Sequence, residues 1–262
     1  MRRLYALILA ASLLLGINSP SWSQGSAHLK KILEIRLKYH RSLSTPRIGA
    51  NFGIPNGSTL PALQGFISGS IAELTEGGSV DTPFDASASI GYGLRMPKNF
   101  PSLDIYLGIT SVNPVGASGG FGFGEDGNLS VKSSVIKSNS YAIALGVNNL
   151  FAWGEAQKAP QNLYVSASTV VRIRKFDLTY TVGYGSEQSR AGKPGQFFGV
   201  AAKPMRFEAT SFGLSYNANR WMFGFSSPTS FWGKSLTVSA GFDDVFDKLD
   251  SRRAILTIAK VF

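Results

Sequence analysis

Apolar and polar side chains alternate along most of the chain after residue 46. The alternation is clearest between Leu163 and Tyr184, where apolar residues at every second position run on both sides of Arg174 and Lys175. A period of two places successive side chains on opposite faces of a β-strand. This region is therefore predicted to be a hairpin of two antiparallel strands. Similar alternation occurs in 84–94, 103–110, 141–148 and 235–243.

Weaker alternating segments bring the predicted number of strands to about 12 when the C-terminal stretch 252–262 is included. They lie near 47–54, 129–136, 197–203, 207–216 and 220–226. The intervening connections are alternately long and short, as in a barrel with loops at one end and turns at the other. This regularity fails once, because 217–219 is short where a long loop is expected and 227–234 is longer than a turn. The predicted long loops are 55–83, 113–128, 152–161 and 187–196.

The less apolar face of these strands consists of Ser, Gly, Thr and Ala, with very few Lys or Glu. A soluble β-sandwich or barrel would normally carry charge on that face. Only 16% of the chain is charged, against roughly 25% in an average globular protein. After residue 23 no apolar run is long enough for a spanning helix, so a membrane-spanning structure must be built of strands. The pattern favours a transmembrane antiparallel up-and-down β-barrel over a soluble all-β protein.

The last stretch, Arg252 to Phe262, alternates apolar residues and ends on an aromatic carboxyl terminus. It resembles the final strand of Gram-negative outer-membrane β-barrel proteins of the porin-like class, which the barrel-assembly machinery recognises. The resemblance implies an outer-membrane location, contact with membrane lipids and lipopolysaccharide, and Phe262 as the assembly signal. Lys260 stands where that family usually has an apolar residue, although its amine can reach the headgroups.

The N-terminus predicts secretion. Arg2 and Arg3 precede the apolar run 6–17, and small residues flank Trp22. This arrangement is typical of a signal peptide, and the run is shorter than the about 20 residues of a spanning helix. We therefore expect residues 1–23 to be removed, 24–45 to form a periplasmic leader and 46–262 to form the barrel. An even strand count places both termini in the periplasm.

The leader is strongly basic. The chain has a formal net charge of +10, and five Lys or Arg residues against Glu34 lie between His28 and Arg41. Its apolar positions fit both a helical stripe and a strand alternation, and its composition favours a short helix. It could lie in the periplasm, sit on the inner membrane surface, plug the lumen, or be a solvated segment without a role.

The residues offer little chemistry for an enzyme. His28 and His40 are the only histidines and both lie in the leader, which excludes a Ser-His site or a His-ligated metal on the barrel itself. The absence of cysteine removes disulfides and Cys-bound metals. Asp243, Asp244, Asp247 and Asp250 cluster around the last predicted outer turn, where they could bind a divalent cation that bridges lipopolysaccharide. They are interpreted instead as solvated loop carboxylates. We expect no catalytic, cofactor or metal site and no nucleic-acid partner.

Charged residues on the less apolar face are candidates for the lumen wall. They are Asp85, Asp104, Lys132, Arg172, Asp177 and Glu208. A 12-stranded interior lies between the filled 8-stranded type and the open 16-stranded type. The sequence thus predicts a narrow channel for small solutes or ions. The alternative is a non-conducting barrel for envelope structure, assembly or polysaccharide export, closed by the leader or by a folded-in loop 55–83.

Deleting Phe262 should impair insertion and leave the protein in the periplasm, because the assembly machinery would lose the terminal aromatic. Fractionation of periplasm and membranes measures this. Normal membrane levels of the deletion variant would contradict the assignment of Phe262 as the assembly signal.

Overall fold

The computed structural model divides the chain into two units, 1–45 and 46–262. It describes residues 51–73, 84–98, 100–109, 124–189, 192–204, 210–231, 234–246 and 252–262, all within the second unit. The predicted signal peptide and leader lie outside these ranges, as do Glu208, Asp247 and Asp250. Within the described ranges, no helix is long and apolar enough to cross a membrane.

Twelve strands are described, and each is antiparallel to its neighbours in the sheet. They are β1 (Gly65–Glu73), β2 (Phe84–Leu94), β3 (Ser102–Ile109), β4 (Gly127–Lys137), β5 (Tyr141–Trp153), β6 (Asn162–Ile173), β7 (Phe176–Gly185), β8 (Gly195–Pro204), β9 (Ser211–Asn217), β10 (Arg220–Phe231), β11 (Lys234–Asp243) and β12 (Arg253–Val261). Strand β1 pairs with both β2 and β12 and closes the sheet. The predicted fold class, an antiparallel up-and-down β-barrel of about 12 strands, is confirmed.

The predicted position of the first strand, near 47–54, was wrong. Residues 51–54 form no strand, and β1 lies instead at Gly65–Glu73, inside the predicted loop 55–83. Phe52 and Ile54 imitate a strand period, but Pro55 follows at once and cannot donate to a sheet ladder. In β1 itself, Gly69 occupies a position on the apolar face and weakens the alternation that would have identified the strand.

The barrel has two ends, which we name by their connections. At the terminal end β1 begins and β12 ends, with Gly65 and Phe262 exchanging two backbone hydrogen bonds of 2.9 Å. The loop end carries the connections 154–161 and 186–194, and a 3-10 helix (Gly154–Lys158) lies in the first of them.

Of the two connections predicted to break the regular alternation of loop lengths, one is confirmed and the other was wrong. The 217–219 connection is a tight turn at Ala218 and Asn219, with Ala218 at φ 56°. The long connection predicted at 227–234 was wrong, since β10 extends to Phe231 and β11 starts at Lys234. The run Ser226-Ser227-Pro228 lacks the apolar period of a strand, yet all three residues pair with β11.

The two faces of the wall have opposite character. On β7, Val182 is 57% exposed whereas its neighbour Thr181 is 1% exposed. The same inversion, with apolar residues outside and polar residues buried, runs through β6, where Leu163 and Val165 are exposed and Ser166 and Ser168 are buried. A soluble protein would expose its polar face, whereas an apolar outer band suits contact with lipid.

An aromatic cluster lies on the outer face near the loop end. Trp221 contacts Phe198, Tyr216 and Phe246, with ring centroids 5.6, 5.3 and 6.4 Å apart. The Tyr216 hydroxyl donates to the backbone oxygen of Ala218 at 2.7 Å. Aromatic rings with a polar tip are typical of the membrane–water interface, so this cluster marks one edge of the apolar band.

Neighbouring residues on β11 test the assignment of faces. Val238→Arg places a charge against lipid and should lower the free energy of unfolding by about 2–4 kcal/mol at mid-membrane. Ser239→Arg is the matched control, because its guanidinium enters the lumen, and it should cost less. Denaturant unfolding in lipid vesicles measures both. Equal losses would contradict the assignment.

Candidate functional site in the barrel lumen

Residues 51–64, which we call the lumen segment, lie inside the barrel. Near the terminal end, Leu63 N donates to Gly93 O at 2.8 Å and Gly93 N donates to Gln64 O at 2.9 Å. Toward the loop end, Ile54 is buried in a small apolar cluster with Tyr164, Phe197 and Met222. The segment therefore follows the barrel wall from its terminal end toward its loop end. The sequence interpretation that a folded-in part of 55–83 fills the lumen agrees with residues 55–64 of this path.

Side chains of the wall hydrogen-bond the backbone of the lumen segment. Ser166 Oγ donates to Asn56 O at 2.9 Å, and Ser168 Oγ accepts from Gly57 N at 2.8 Å. Ser134 Oγ donates to Gly57 O at 3.1 Å. Around Asn56 and Gly57 the segment pairs with no described strand, so these hydroxyls satisfy backbone groups that a sheet would otherwise pair. The inward serines of β4 and β6 thus fix the position of the segment.

Asp104 is the strongest of these anchors. Its carboxylate is fully buried and accepts Leu60 N at 3.1 and 3.0 Å and the Tyr106 hydroxyl at 2.6 Å. Lys132 Nζ lies 3.8 Å from the carboxylate, 5.6 Å from the centroid of the Tyr106 ring and 3.3 Å from Asn56 Oδ1. A buried charge requires a partner, and here the pair also holds the lumen segment.

Two other predicted lumen residues, Arg172 and Asp177, lie apart from this anchor. Arg172 and Asp177 form a two-bond ion pair across β6 and β7, at 2.6 and 2.9 Å. Asp85 pairs with Ala72 through its backbone, but its side chain, like the whole of Glu208, lies outside the described residues. The sequence analysis missed a third ion pair, Arg220 with Asp243 at 2.7 Å.

Asp243 was interpreted as a solvated loop carboxylate, which was wrong. It ends β11, is 6% exposed and pairs with Arg220. Asp244 is also buried. The Asp243-Asp244 dipeptide looks like a loop because a strand seldom ends in two carboxylates, and the paired arginine is distant in sequence. Within the described residues, no three His, Cys, Asp or Glu side chains are grouped so as to hold a metal ion.

Phe52 packs into a cradle of three glycines. Gly213, Gly224 and Gly241 lie side by side in the register of β9, β10 and β11. A Cβ added to Gly241 would lie 2.6 Å from Phe52 Cζ, and one added to Gly224 would collide with the same ring. The chain then turns at Gly53, whose φ of 72° is one that other residues rarely adopt. The position of the lumen segment thus depends on the absence of side chains at these glycines as well as on hydrogen bonds.

Six hydroxyl residues form a row across the wall on β9–β12, β1 and β2. Cross-strand pairing places each of them beside the next, and we call this set the hydroxyl row. Its members are Ser211, Ser226, Ser239, Thr257, Ser70 and Ser87. Ser70 Oγ and Thr257 Oγ1 lie 2.7 Å apart.

A cavity of about 240 Å³, the inner cavity, lies between the lumen segment and four members of the hydroxyl row. Asn51 and Phe52 line it from the segment side. Asn51 is 6% exposed, and neither its amide nitrogen nor its amide oxygen has a hydrogen-bond partner in the part of the chain that the structure describes. Most buried amides in native proteins are paired, so this side chain is chemically unsatisfied.

A larger cavity of about 780 Å³, the mouth cavity, opens at the loop end. Gly53 and Pro55 of the lumen segment line it together with Asn148, and buried amides form part of its wall. Asn162 Nδ2 donates to Gln188 Oε1 at 2.8 Å, and Gln188 Nε2 donates to Asn217 Oδ1 at 2.7 Å. Sequence analysis did not single out these amides, because each lies at a different strand end or loop.

Comparisons with known proteins give structural likeness at low identity. No family model and no curated protein matches the chain. Among solved structures, the COG4313 outer membrane channel from Pseudomonas putida F1 is 12% identical with a TM-score of 0.48, covering 82% of this chain and 100% of that one. Acinetobacter baumannii Omp33 is 10% identical with a TM-score of 0.41, over 76% of this chain and 98% of its own. Pseudomonas putida OprB, in its low-pH structure, is 11% identical with a TM-score of 0.28, covering 76% of this chain and 92% of its own. Likenesses of this size assign no substrate.

Gly224→Ala should destabilise the folded barrel by about 1–3 kcal/mol, because the added methyl overpacks against Phe52. In a Phe52→Ala background the same change should cost much less, since the ring it meets is gone. Urea unfolding in lipid vesicles measures both. Gly69→Ala is the control, because a Cβ there meets no atom within 4 Å. Equal costs of Gly224→Ala in the two backgrounds would contradict the cradle.

Proposed function

We propose that this protein is a non-enzymatic outer-membrane channel for small solutes or ions, narrowed by the lumen segment. The observation that carries the proposal is the inner cavity, which Ser211, Ser226, Ser239 and Thr257 line on one side and the lumen segment on the other. Hydroxyl groups replace part of the hydration shell of a passing solute, yet hold it weakly enough for release.

The anchoring of the lumen segment supports a fixed constriction. Its hydrogen bonds to Asp104, Ser134 and Ser166 attach it to β3, β4 and β6. The hydroxyl row lies on β9–β12, β1 and β2, and on β9–β11 it is two residues from the glycines that hold Phe52. The inner cavity separates the segment from four members of this row, so a solute path past the row can coexist with a permanently docked segment.

The charges described in the wall support weak ion selectivity. Asp104 with Lys132, Arg172 with Asp177 and Arg220 with Asp243 each combine opposite signs. Paired charges produce little net field at a distance. A basic leader near one mouth would then bias the channel toward anions.

The proposed cellular setting follows from the outer surface and the two termini. The signal peptide directs export and is removed, and the barrel-assembly machinery recognises the terminal strand that ends at Phe262. The exposed apolar side chains contact membrane lipids, and the loop end contacts lipopolysaccharide.

A non-conducting structural or export-related barrel is the second candidate. The continuous anchoring of residues 56–60 favours it, because a segment bonded at Asn56, Gly57, Thr59 and Leu60 resembles a permanent plug. Conductance separates the two functions.

Single-channel recording of the protein in planar bilayers is the deciding experiment. We expect small discrete steps from the unmodified protein. Asp104→Ala should give larger and noisier steps, because breaking a buried charged pair costs about 3–5 kcal/mol and releases the segment. Absence of steps from both forms would favour the structural barrel.

Asp177→Ala is the matched control for that recording. It also removes an inward carboxylate from an ion pair, but Asp177 pairs with Arg172 and no contact with the lumen segment involves it among the described bonds. Its conductance should remain that of the unmodified protein. A version lacking residues 24–45 should show whether the leader changes ion preference, through the reversal potential.

A further inference from the structure

We infer that the inner cavity binds an uncharged polyhydroxylated solute of monosaccharide size, with Asn51 as a direct contact. This inference rests on the proposed channel function and names its substrate class. It starts from a polar group that the described structure leaves without a partner.

Asn51 presents a complete hydrogen-bonding amide to the inner cavity. Its nitrogen offers two donors and its oxygen is an acceptor, and none of them is used by a described residue. At 6% exposure the side chain also has little access to bulk water. A buried amide in this condition calls for a partner in the cavity, and a solute hydroxyl can both donate and accept.

The surroundings of Asn51 favour an uncharged ligand. The same cavity is lined by Ser211, Ser226, Ser239 and Thr257, and no acidic or basic residue lines it among the described residues. A charged solute would lose hydration there without meeting an opposite charge, which is unfavourable. A polyol exchanges its hydrogen bonds with water for bonds to hydroxyls and the amide.

Phe52 adds an apolar surface to the same cavity. Small-molecule sites commonly combine apolar or aromatic walls with a few placed polar groups. A sugar ring has both kinds of surface, with C–H groups on its faces and hydroxyls around its edge. The aromatic ring and the hydroxyl row therefore match the two surfaces of one ligand.

The dimensions agree with a small solute. At about 30 Å³ for each water molecule, 240 Å³ corresponds to about eight waters. Gly53 lines both the inner and the mouth cavity, so the two lie on either side of the same turn of the lumen segment. The mouth cavity adds the buried amides of Asn162, Gln188 and Asn217 to this route, and Lys158 and Glu187 also line it.

Saturation-transfer NMR with the full protein in detergent tests the inference. The probes are D-glucose and gluconate, which have similar hydroxylated skeletons but differ in charge. We expect saturation transfer to glucose and much less to gluconate. Asn51→Leu keeps a similar volume but loses the amide, and it should weaken glucose binding about tenfold, the equivalent of about 1.4 kcal/mol.

Asn139→Leu is the matched control, because it makes the same change at an exposed turn of the terminal end. Ser239→Ala is a second cavity variant that keeps the test decisive if Asn51→Leu fails to fold, and it should weaken glucose binding severalfold. Equal transfer to both probes, no transfer to glucose, or unchanged binding in the cavity variants would each overturn the inference.

Bilayer recordings on the same preparations separate this inference from the proposed function. Discrete steps without glucose binding would retain the channel and overturn the assignment of its substrate class. Glucose binding without steps would retain the binding site and overturn conduction.

Discussion

A closed sheet leaves few backbone hydrogen bonds for a chain segment inside it. Each strand of this barrel pairs on both sides, so apart from the backbone bonds of Leu63 and Gln64 to Gly93, the described contacts that hold the lumen segment come mainly from side chains. This constraint explains the inward serines, the buried Asp104 and the paired Lys132. Together they supply to the lumen segment the hydrogen bonds that a neighbouring strand would have supplied.

Small residues have two different roles in the inner face of the wall. Where the lumen segment turns back, glycines remove side chains and make room for the Phe52 ring. Across the inner cavity from Asn51, serine and threonine place hydroxyl-bearing side chains on the wall without filling the space. Gly and Ser are both common in such strands, but here their places in the register give them separate roles.

The sequence is sufficient to predict the wall because the wall is periodic. The β6–β7 hairpin was predicted almost to the residue, since each outward position from Leu163 to Tyr184 faces lipid and is largely apolar. Strand β1 was misplaced because Gly69 interrupts its apolar face, while Phe52 and Ile54 imitate one. Regular alternation reflects the different surroundings of the two faces of a strand. A prediction based on it is wrong where a strand contains glycine, or where an irregular segment alternates by chance.

The contents of the lumen were less accessible to prediction. Parity places Asp104 and Lys132 on the inward face, but the partner of Asp104 is the backbone amide of Leu60, which no side-chain pattern signals. Asn51 lies in a segment without any period, and the amides of the mouth cavity come from separate strand ends. These contacts depend on the path of an irregular segment through three dimensions.

The hydroxyl row has a consequence for the accuracy of strand pairing. In a β-sheet, a slip of one residue transfers every side chain to the other face. Such a slip in β10 or β12 would turn Ser226 or Thr257 toward lipid and bring Phe225 or Ile258 into the lumen. A wrong register in either strand would therefore cost free energy on both faces, by placing hydroxyls in lipid and apolar side chains in the lumen. The residues that keep the interior polar thus also help to select the correct strand register.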